Sequence, residues 1–447
     1  MSTIAIEMET PRRDVKTVSF LAFWLIHRYG HRVVIFGSQN ELATLVCHRP
    51  EVIVLPHVRY ARMAEAMAFA RDRGTPIALL PSEGIPPWDD VIPLITVGAE
   101  EFRADVALWM SWGRRAAQYC AAHRTVPNAR IAVTGCPRFD TQLPPLRPLL
   151  PTRDEHRRRH GIPADAQVVT WFSSTIYANH PLGSEELVRR ALEPRSSADF
   201  FNAHYDVRAV TYDHQTMYDH FIEIFARHAV AHPEVFHLVK PHPADQVGPI
   251  RARLAHLPNV GIAPVAEPVD ALMAYGDVQI NWRCSTSFEA WYRDVEAPVI
   301  TVEHPNLRSD YNVGLTVGNE VVHDFAGFDA AVARYLGGGR PGPELVARRR
   351  EFLDDYLHRP ESTAAESCAR EIDHLAGEAP PPRWTWGNVR RAARHVARQL
   401  PKGHWQTVRR ARDEEKHLDP DEVKTWIDRL NDVFGGKVDA SRYELFA

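Results

Sequence analysis

The chain has 447 residues, of which 45% are hydrophobic and 25% are charged, and its formal net charge is -4 at pH 7. This length suggests two or three domains, and the charge balance argues against a global nucleic-acid-binding surface. The five cysteines form no C-x-x-C pair, which argues against a zinc ribbon or a disulfide framework and favours a reducing cytoplasm.

Short apolar runs alternate with helix-length segments from residue 18 to about residue 140. Such alternation is typical of parallel βαβ units and predicts a Rossmann-like domain over residues 1–150. The longest N-terminal apolar stretch, Val18 to Ile26, is too short to cross a bilayer, so we predict neither a signal peptide nor a membrane span. The predicted helices are Phe20 to Tyr29, Arg62 to Arg73 and Arg114 to Ala122, and the predicted strands are Arg32 to Phe36, Glu51 to Leu55, Pro76 to Leu80, Ala104 to Leu108 and Arg130 to Val133.

An acidic loop follows the third predicted strand, Pro76 to Leu80, in the sequence Pro81-Ser82-Glu83-Gly84-Ile85-Pro86-Pro87. Gly84 permits a sharp turn, and the prolines prevent a helix. Glu83 is therefore expected at the carboxyl end of a strand, where it can act as a general base towards a hydroxyl group. The alternative is an ordinary loop glutamate.

The first domain closes with Thr134-Gly135-Cys136-Pro137-Arg138-Phe139-Asp140. Arg138 is a supporting candidate, either as a phosphate ligand or as a structural partner of Asp140. A proline-rich stretch follows, and it predicts a domain boundary near residues 145–165.

A second series of alternating strands and helices predicts a second Rossmann-like domain over residues 160–378. Residues 178–214, rich in Ser, His, Asn and Asp, are expected to form an irregular insertion. The predicted strands are Gln167 to Phe172, Phe236 to Val239, Val260 to Ala263, Asp277 to Asn281 and Pro298 to Val302, and the helices are Met217 to Ala231, Val269 to Tyr275, Ser287 to Asp294 and Leu345 to Tyr356.

A stiff loop ends the second strand of this domain, in the sequence Lys240-Pro241-His242-Pro243. Each proline fixes its own φ and keeps the preceding residue extended, so His242 cannot lie in a helix. Ligands of open α/β sheets bind at the carboxyl ends of the strands. Lys240 and His242 are therefore candidates to hold a nucleotide's phosphate or base, and the alternative is a surface loop with a solvated lysine and histidine.

Three hydroxyl residues, Ser285, Thr286 and Ser287, open a predicted helix directly after the strand that ends at Asn281. The N-terminus of a helix attracts phosphate through its free N–H groups and its dipole. The spacing of Thr286 and Glu289 also predicts a capping box, which needs no ligand. With Thr286 capping, Ser285 and Ser287 stay available for phosphate, Glu289 can reach ribose hydroxyls, and Asn281 is a supporting residue.

The tail, residues 379–447, contains a strongly basic stretch. Between Arg383 and Arg412, which we call the basic segment, it has nine basic residues, no acidic residues and three tryptophans. A basic helix with aromatic residues is typical of segments that lie on anionic membranes, and the alternatives are a solvated helix or one that packs on the other domain.

Together these motifs resemble the bacterial surface carbohydrate biosynthesis proteins of the GT-B glycosyltransferase type. K-P-H-P at 240–243, S-T-S-F-E-A at 285–290 and T-G-x-P-R-F-D at 134–140 carry the resemblance. They are similar to motifs of capsule Kdo transferases, polysialyltransferases and CDP-glycerol glycerophosphotransferases. The resemblance implies two Rossmann-like domains facing across a cleft, a cytidine nucleotide bound by Lys240, His242, Pro243 and the Ser285 region, and a catalytic acidic residue at Glu83.

These observations predict an inverting glycosyltransferase that moves a sugar from a CMP- or CDP-linked donor to a glycan or lipid-linked glycan at the cell surface. Neither candidate site contains a D-x-D motif, so we expect no metal and no cofactor, with phosphate charge offset by protein groups. The expected location is the cytoplasm, peripheral to the inner membrane face, with no nucleic-acid partner. The alternatives are a sugar-nucleotide 2-epimerase and a non-catalytic nucleotide-binding scaffold.

Overall fold

The structure is a computed structural model, and it describes residues 1–85, 89–178, 180, 182–192, 205–399, 419–439 and 441–446. The chain forms two compact units. The first unit contains Met1–Leu149 and Phe352–Ala447, and the second contains Leu150–Glu351.

The described strands all belong to two sheets, and every strand pairing within these sheets is parallel. The order of the first-unit sheet is β13-β2-β1-β3-β4-β5-β6, and that of the second-unit sheet is β12-β11-β10-β7-β8-β9. The strands are β1 (Thr3–Met8), β2 (Arg32–Gly37), β3 (Val52–Leu55), β4 (Ile77–Leu79), β5 (Val106–Ser111), β6 (Arg130–Val133), β7 (Gln167–Phe172), β8 (Val235–Lys240), β9 (Val260–Ile262), β10 (Val278–Asn281), β11 (Val299–Val302), β12 (Glu320–Val322) and β13 (Tyr443–Phe446).

Helices connect and cover these strands, as expected for crossover units of parallel sheets. The two Rossmann-like sheets confirm the predicted fold class. The α-helices are α1 (Pro11–His27), α2 (Glu41–Cys47), α3 (Ala64–Arg73), α4 (Ile92–Thr96), α5 (Arg114–Ala122), α6 (Arg153–His160), α7 (Ser184–Leu192), α8 (Val207–Ala231), α9 (Val247–Leu254), α10 (Val269–Tyr275), α11 (Thr286–Arg293), α12 (Phe325–Leu336), α13 (Pro343–Tyr356), α14 (Ala364–Glu378), α15 (Trp386–Gln399) and α16 (Pro420–Phe434).

The first unit begins earlier than the sequence pattern indicates. Strand β1 precedes the first predicted element, and the predicted helix Phe20 to Tyr29 overlaps only the second half of α1, which ends at His27. Pro11 at the first helical position fixes a helical φ, and Asp14 in the first turn complements the helix dipole. These features place the start of α1 just after β1.

The C-terminal segment is part of the first unit rather than a separate tail. Strand β13 pairs with β2, from Tyr443 beside Val33 to Phe446 beside Phe36. Helix α16 packs on α1, where Trp426 meets the Phe20 ring edge-on at 5.6 Å. The division into units therefore differs from the predicted ranges 160–378 and 379–447, because α14, α16 and β13 complete the core and the sheet of the first unit.

Helix α15 carries the described half of the basic segment. One face packs on α3, with Asn388 fully buried and Arg391 paired with Asp72. Arg390, Arg394 and Trp386 are exposed. Lys402, Trp405, Arg409, Arg410 and Arg412 lie outside the described residues.

No α-helix within the described ranges is both long and apolar enough to cross a membrane.

Candidate functional site

Three loops share the carboxyl edge of the second-unit sheet. The strand order reverses its direction of winding between β7 and β10, and this topology creates a crevice at their carboxyl ends where ligands of such sheets bind. Strand β8 lies on the other side of β7. We call this region the second-unit edge and define it by Ser173–Thr175, Lys240–Asp245 and Asn281–Ser287.

Lys240 ends β8 and is buried, with 4% of its surface exposed. Its ammonium group donates to the carbonyl oxygens of Pro241 and Val265 at 2.7 and 3.0 Å. Burial lowers the pKa of Lys240 to about 8, although the nearby acidic groups Asp245 and Glu267 oppose this shift. An ammonium group has three N–H donors, and these two carbonyls use two of them. The third can be offered to an anion.

His242 is held in one orientation by its own loop. The backbone N–H of Ala244 donates to Nδ1 of His242 at 3.1 Å, and the His242 N–H donates to Asp245 Oδ2 at 2.8 Å. Burial lowers the pKa of His242, so the ring is neutral at pH 7. A neutral imidazole that accepts at Nδ1 carries its proton on Nε2, and His242 therefore presents an N–H donor. Pro243 is exposed beside it.

Helix α11 begins at Thr286, and Ser285 precedes it in a right-handed helical conformation without capping the helix through its side chain. The predicted capping box between Thr286 and Glu289 is therefore wrong, because Thr286 is already the first helical residue. Ser285 is half-buried, whereas Thr286 and Glu289 are buried. Ser285 is thus the predicted ligand that lies both at the helix N-terminus and partly open to solvent.

Ser287 and Asn281 belong to a buried polar network. The Ser287 hydroxyl is fully buried and accepts from the amide of Asn319 at 2.8 Å and from that of Asn281 at 3.0 Å. The Asn319 amide also donates to Thr301 at 2.8 Å. The expectation that Ser287 stays available for phosphate is therefore wrong, since these contacts use its hydroxyl to join α11 to the sheet.

Residues after β7 complete the edge, although none of the predicted site residues lies among them. The side-chain oxygens of Ser173 and Thr175 are buried and have no hydrogen-bond partner among the described residues. Ser174 donates to the carbonyl of Trp282, which ties the loop after β7 to the loop after β10. The run of hydroxyl residues directly after an apolar strand is the same signal that identified Ser285.

His214 is a second missed residue, because it lies in α8 within the segment predicted to be irregular. It is 1% exposed, and its ring centroid lies 4.8 Å from that of Tyr177, 4.9 Å from Trp282 and 5.6 Å from Tyr311. Neither ring nitrogen has a hydrogen-bond partner in the described part of the chain. Burial lowers the pKa of His214 to about 3, with a further contribution from the positive charge of Arg283, so the ring is neutral.

Arg283 lies in the left-handed region at φ 45°, which is unfavourable for a residue with a side chain. Its guanidinium donates to Glu303 at 2.8 Å and to the carbonyl oxygens of Ser309 and Tyr311 at 2.9 and 3.0 Å. These bonds hold the loop after β11 against the end of β10. Backbone strain of this kind is concentrated at functional sites.

The first-unit sheet has its own switch point, where β1 lies between β2 and β3. Glu9 follows β1 and His57 follows β3, and His57 Nε2 lies 2.9 Å from Glu9 Oε1. The Ser82 hydroxyl donates to Glu9 Oε2 at 3.1 Å. Burial opposes ionisation of Glu9, but the hydrogen bond and charge of His57, together with Arg13, hold its pKa at about 2.

Glu83 lies beside this cluster, with 61% of its side chain exposed. Arg13 connects the two carboxylates, at 2.9 Å from Glu9 and 3.5 Å from Glu83. Gly84 does not adopt a positive φ. A Cβ atom there would lie 2.2 Å from the Trp112 ring, so the position requires glycine because of close packing rather than a sharp turn. Pro86 and Pro87 lie outside the described residues.

Arg138 stacks on the Trp112 and Phe139 rings, at 5.3 and 4.7 Å from their centroids. Asp140 is fully buried and accepts from the backbone N–H groups of Ala364 and Ala365 at 2.8 and 2.9 Å. The motif at 134–140 therefore anchors the start of α14 within the first unit.

The chain is similar in structure to UDP-GlcNAc 2-epimerases. The enzyme of Neisseria meningitidis, solved with UDP-GlcNAc, matches 83% of this chain and 99% of its own with 11% identity and a TM-score of 0.51. The enzyme of Methanocaldococcus jannaschii gives the same coverage and TM-score with 12% identity. MnaA of S. aureus, solved with UDP, matches 86% of this chain and 100% of its own with 12% identity and a TM-score of 0.50.

No protein-family model matches the chain, and a search of curated protein sequences found no significant match. The structural similarities show the fold, a GT-B-like pair of Rossmann-like domains.

Proposed function

We propose that the protein is a glycosyltransferase that uses a nucleotide-activated sugar and that the second-unit edge binds the nucleotide. The observation that carries this proposal is the common position of Lys240, His242 and Ser285 at the carboxyl edge of one sheet, beside its switch point, where each can donate towards an anion. Lysine ammonium, imidazole N–H and a helix N-terminus are the groups that proteins use for phosphate.

Glu83 is the proposed general base. In the reaction, the acceptor hydroxyl attacks the anomeric carbon while the bond from that carbon to the donor phosphate breaks, and the configuration inverts. Glu83 takes the hydroxyl proton, and the phosphate leaves with the bonding electron pair. Lys240, His242 and the start of α11 stabilise the charge that develops on the phosphate.

The acceptor is a surface glycan or its lipid-linked precursor, and the donor base is cytidine. Both assignments depend on the resemblance of the K-P-H-P and S-T-S-F-E-A motifs to those of surface carbohydrate transferases. The structural relatives solved with UDP or UDP-GlcNAc support a nucleotide sugar as the ligand and make uridine the competing base.

A 2-epimerase is the second candidate, favoured by the similarity to the UDP-GlcNAc 2-epimerases. Incubation with CMP- and UDP-linked sugars, with and without a glycan acceptor, separates the two functions. A transferase releases nucleotide and forms a glycoside only when acceptor is present. An epimerase converts the sugar nucleotide in the absence of any acceptor. A protein that binds nucleotide and does neither is a scaffold.

A further inference from the structure

Two histidines one turn apart lie at the end of α8 and face an aspartate on α12. Nε2 of His232 is 2.7 Å from Oδ1 of Asp329, and Nε2 of His228 is 3.8 Å from the same oxygen. One ligand atom from each of the three residues lies within 4.8 Å of the others. Two ligands bound at about 2.0–2.1 Å to one tetrahedral ion are about 3.3 Å apart, and the two measured separations bracket this distance.

The hydrogen bonds behind His228 fix its tautomer. The Val235 carbonyl lies 3.0 Å from Nδ1 of His237, so Nδ1 of His237 carries the proton and donates to this carbonyl. Nε2 of His237 is then an acceptor, and it lies 2.7 Å from Nδ1 of His228, which must donate. The remaining nitrogen of His228, Nε2, therefore presents its lone pair towards Asp329.

The second ring nitrogen of His232 also has a hydrogen-bond partner. Its Nδ1 lies 3.2 Å from the carboxylate of Glu234, and its Nε2 is directed at Asp329. A metal-binding histidine usually donates its second ring N–H to a carbonyl or a carboxylate, which orients the ring and increases its basicity. Both histidines have such a partner, directly for His232 and through His237 for His228.

We propose that His228, His232 and Asp329 bind one divalent transition-metal ion of the Zn²⁺ type. Two imidazoles and one carboxylate are a suitable ligand set for Zn²⁺, and a water molecule would take the fourth position. The ion would join α8 to α12. The site differs from the second-unit edge, since His237 is three residues before Lys240, or about 10 Å along β8.

The test uses the untagged full-length protein after treatment with a chelator. We expect it to take up one Zn²⁺ per chain and to show a higher melting temperature with Zn²⁺ alone. Co²⁺ should give the visible absorption of a tetrahedral site with nitrogen ligands, and this measurement requires no variant.

His232→Ala and Asp329→Ala should each abolish the Zn²⁺-dependent increase in melting temperature and the Co²⁺ spectrum. Both side chains are half-buried, and circular dichroism shows whether each variant is folded. His256→Ala, which removes an exposed histidine elsewhere in the second unit, should retain both signals. Wild-type protein without saturable uptake, or folded variants with unchanged uptake, would show that the cluster is only an ion pair between His232 and Asp329.

Discussion

The side-chain amide of Asn319 donates a 2.8 Å hydrogen bond to the fully buried hydroxyl of Ser287, whereas Ser285, two residues earlier, is half-buried at the start of α11. The two serines therefore have different roles. Ser285→Ala should remove a phosphate ligand and reduce the melting-temperature increase that a bound nucleotide causes, with little effect on the unliganded protein.

Ser287→Ala is the matched comparison. It removes the buried hydroxyl that accepts from the amides of Asn281 and Asn319, so we expect it to lower the free energy of unfolding by about 1–3 kcal/mol while the shift caused by nucleotide remains. Chemical denaturation and thermal shift measure the two effects separately. The reverse pattern would mean that Ser287 is the ligand.

These two serines show which features of the site could be predicted from the sequence and which could not. The apolar runs predicted the strands before Lys240 and Ser285 because parallel strands buried on both faces have a simple pattern. Which hydroxyl of Ser285-Thr286-Ser287 faces the sheet depends on where the helix begins, and boundaries shift by a residue or two. Glu9 and His57 are 48 residues apart, and only the order of the strands brings them together.

The lowered pKa of Lys240 leads us to expect that nucleotide binding depends on pH. Its pKa of about 8 means that the unliganded protein loses the ammonium proton as the pH rises through 8. Binding of CMP must then restore this proton, so the dissociation constant should rise up to about tenfold per pH unit above pH 8. Lys240→Met should bind weakly and without this dependence. A wild-type affinity that is constant from about pH 7 to 9.5 would exclude Lys240 as the phosphate ligand.

The same residue affects stability in the opposite direction. Since the pKa in the folded protein lies below the value of 10.5 for a free lysine, the unfolded chain binds more protons between about pH 8 and 10.5. The free energy of unfolding of the wild type, measured relative to Lys240→Met, should therefore increase with pH over this window. Denaturant titrations at several pH values provide this comparison.

Glu83→Gln should lower the rate of sugar transfer by about 100-fold or more, the usual effect of losing a positioned base, while the donor still binds. The exposure of Glu83 predicts almost no change in stability. Glu101→Gln, a change of another exposed glutamate in the first unit, is the control and should be fully active. Near-normal turnover of Glu83→Gln would exclude Glu83 as the general base and make the Glu9–His57 pair the next candidate.

Membrane association of the basic segment can be tested without deleting it. Removal of residues 380–447 would remove α16 and β13 and should destabilise the first unit, so solubility would be lost for reasons unrelated to lipid. Changing the exposed residues Arg390 and Arg394 to Glu should instead reduce sedimentation with anionic vesicles, because each basic residue contributes roughly 1 kcal/mol near such a surface.

The double change of Arg348 and Arg350 to Glu alters the net charge equally at exposed positions of α13 and should leave sedimentation unchanged. Increasing salt should release the wild type. Equal sedimentation of the two charge-reversed proteins would argue against a membrane surface on α15.

The decisive measurement for the proposed nucleotide site is the thermal shift that nucleotides cause in the wild type and in His242→Ala. We predict that CMP or CDP stabilises the wild type by about 2.7 kcal/mol at 100 times the dissociation constant. UDP at the same concentration should have a smaller effect. His242→Ala should lose most of the shift that CMP or CDP causes, while His256→Ala should keep it. Equal or larger stabilisation by UDP, with His242→Ala behaving like the wild type, would contradict both the cytidine assignment and the placement of the nucleotide at His242.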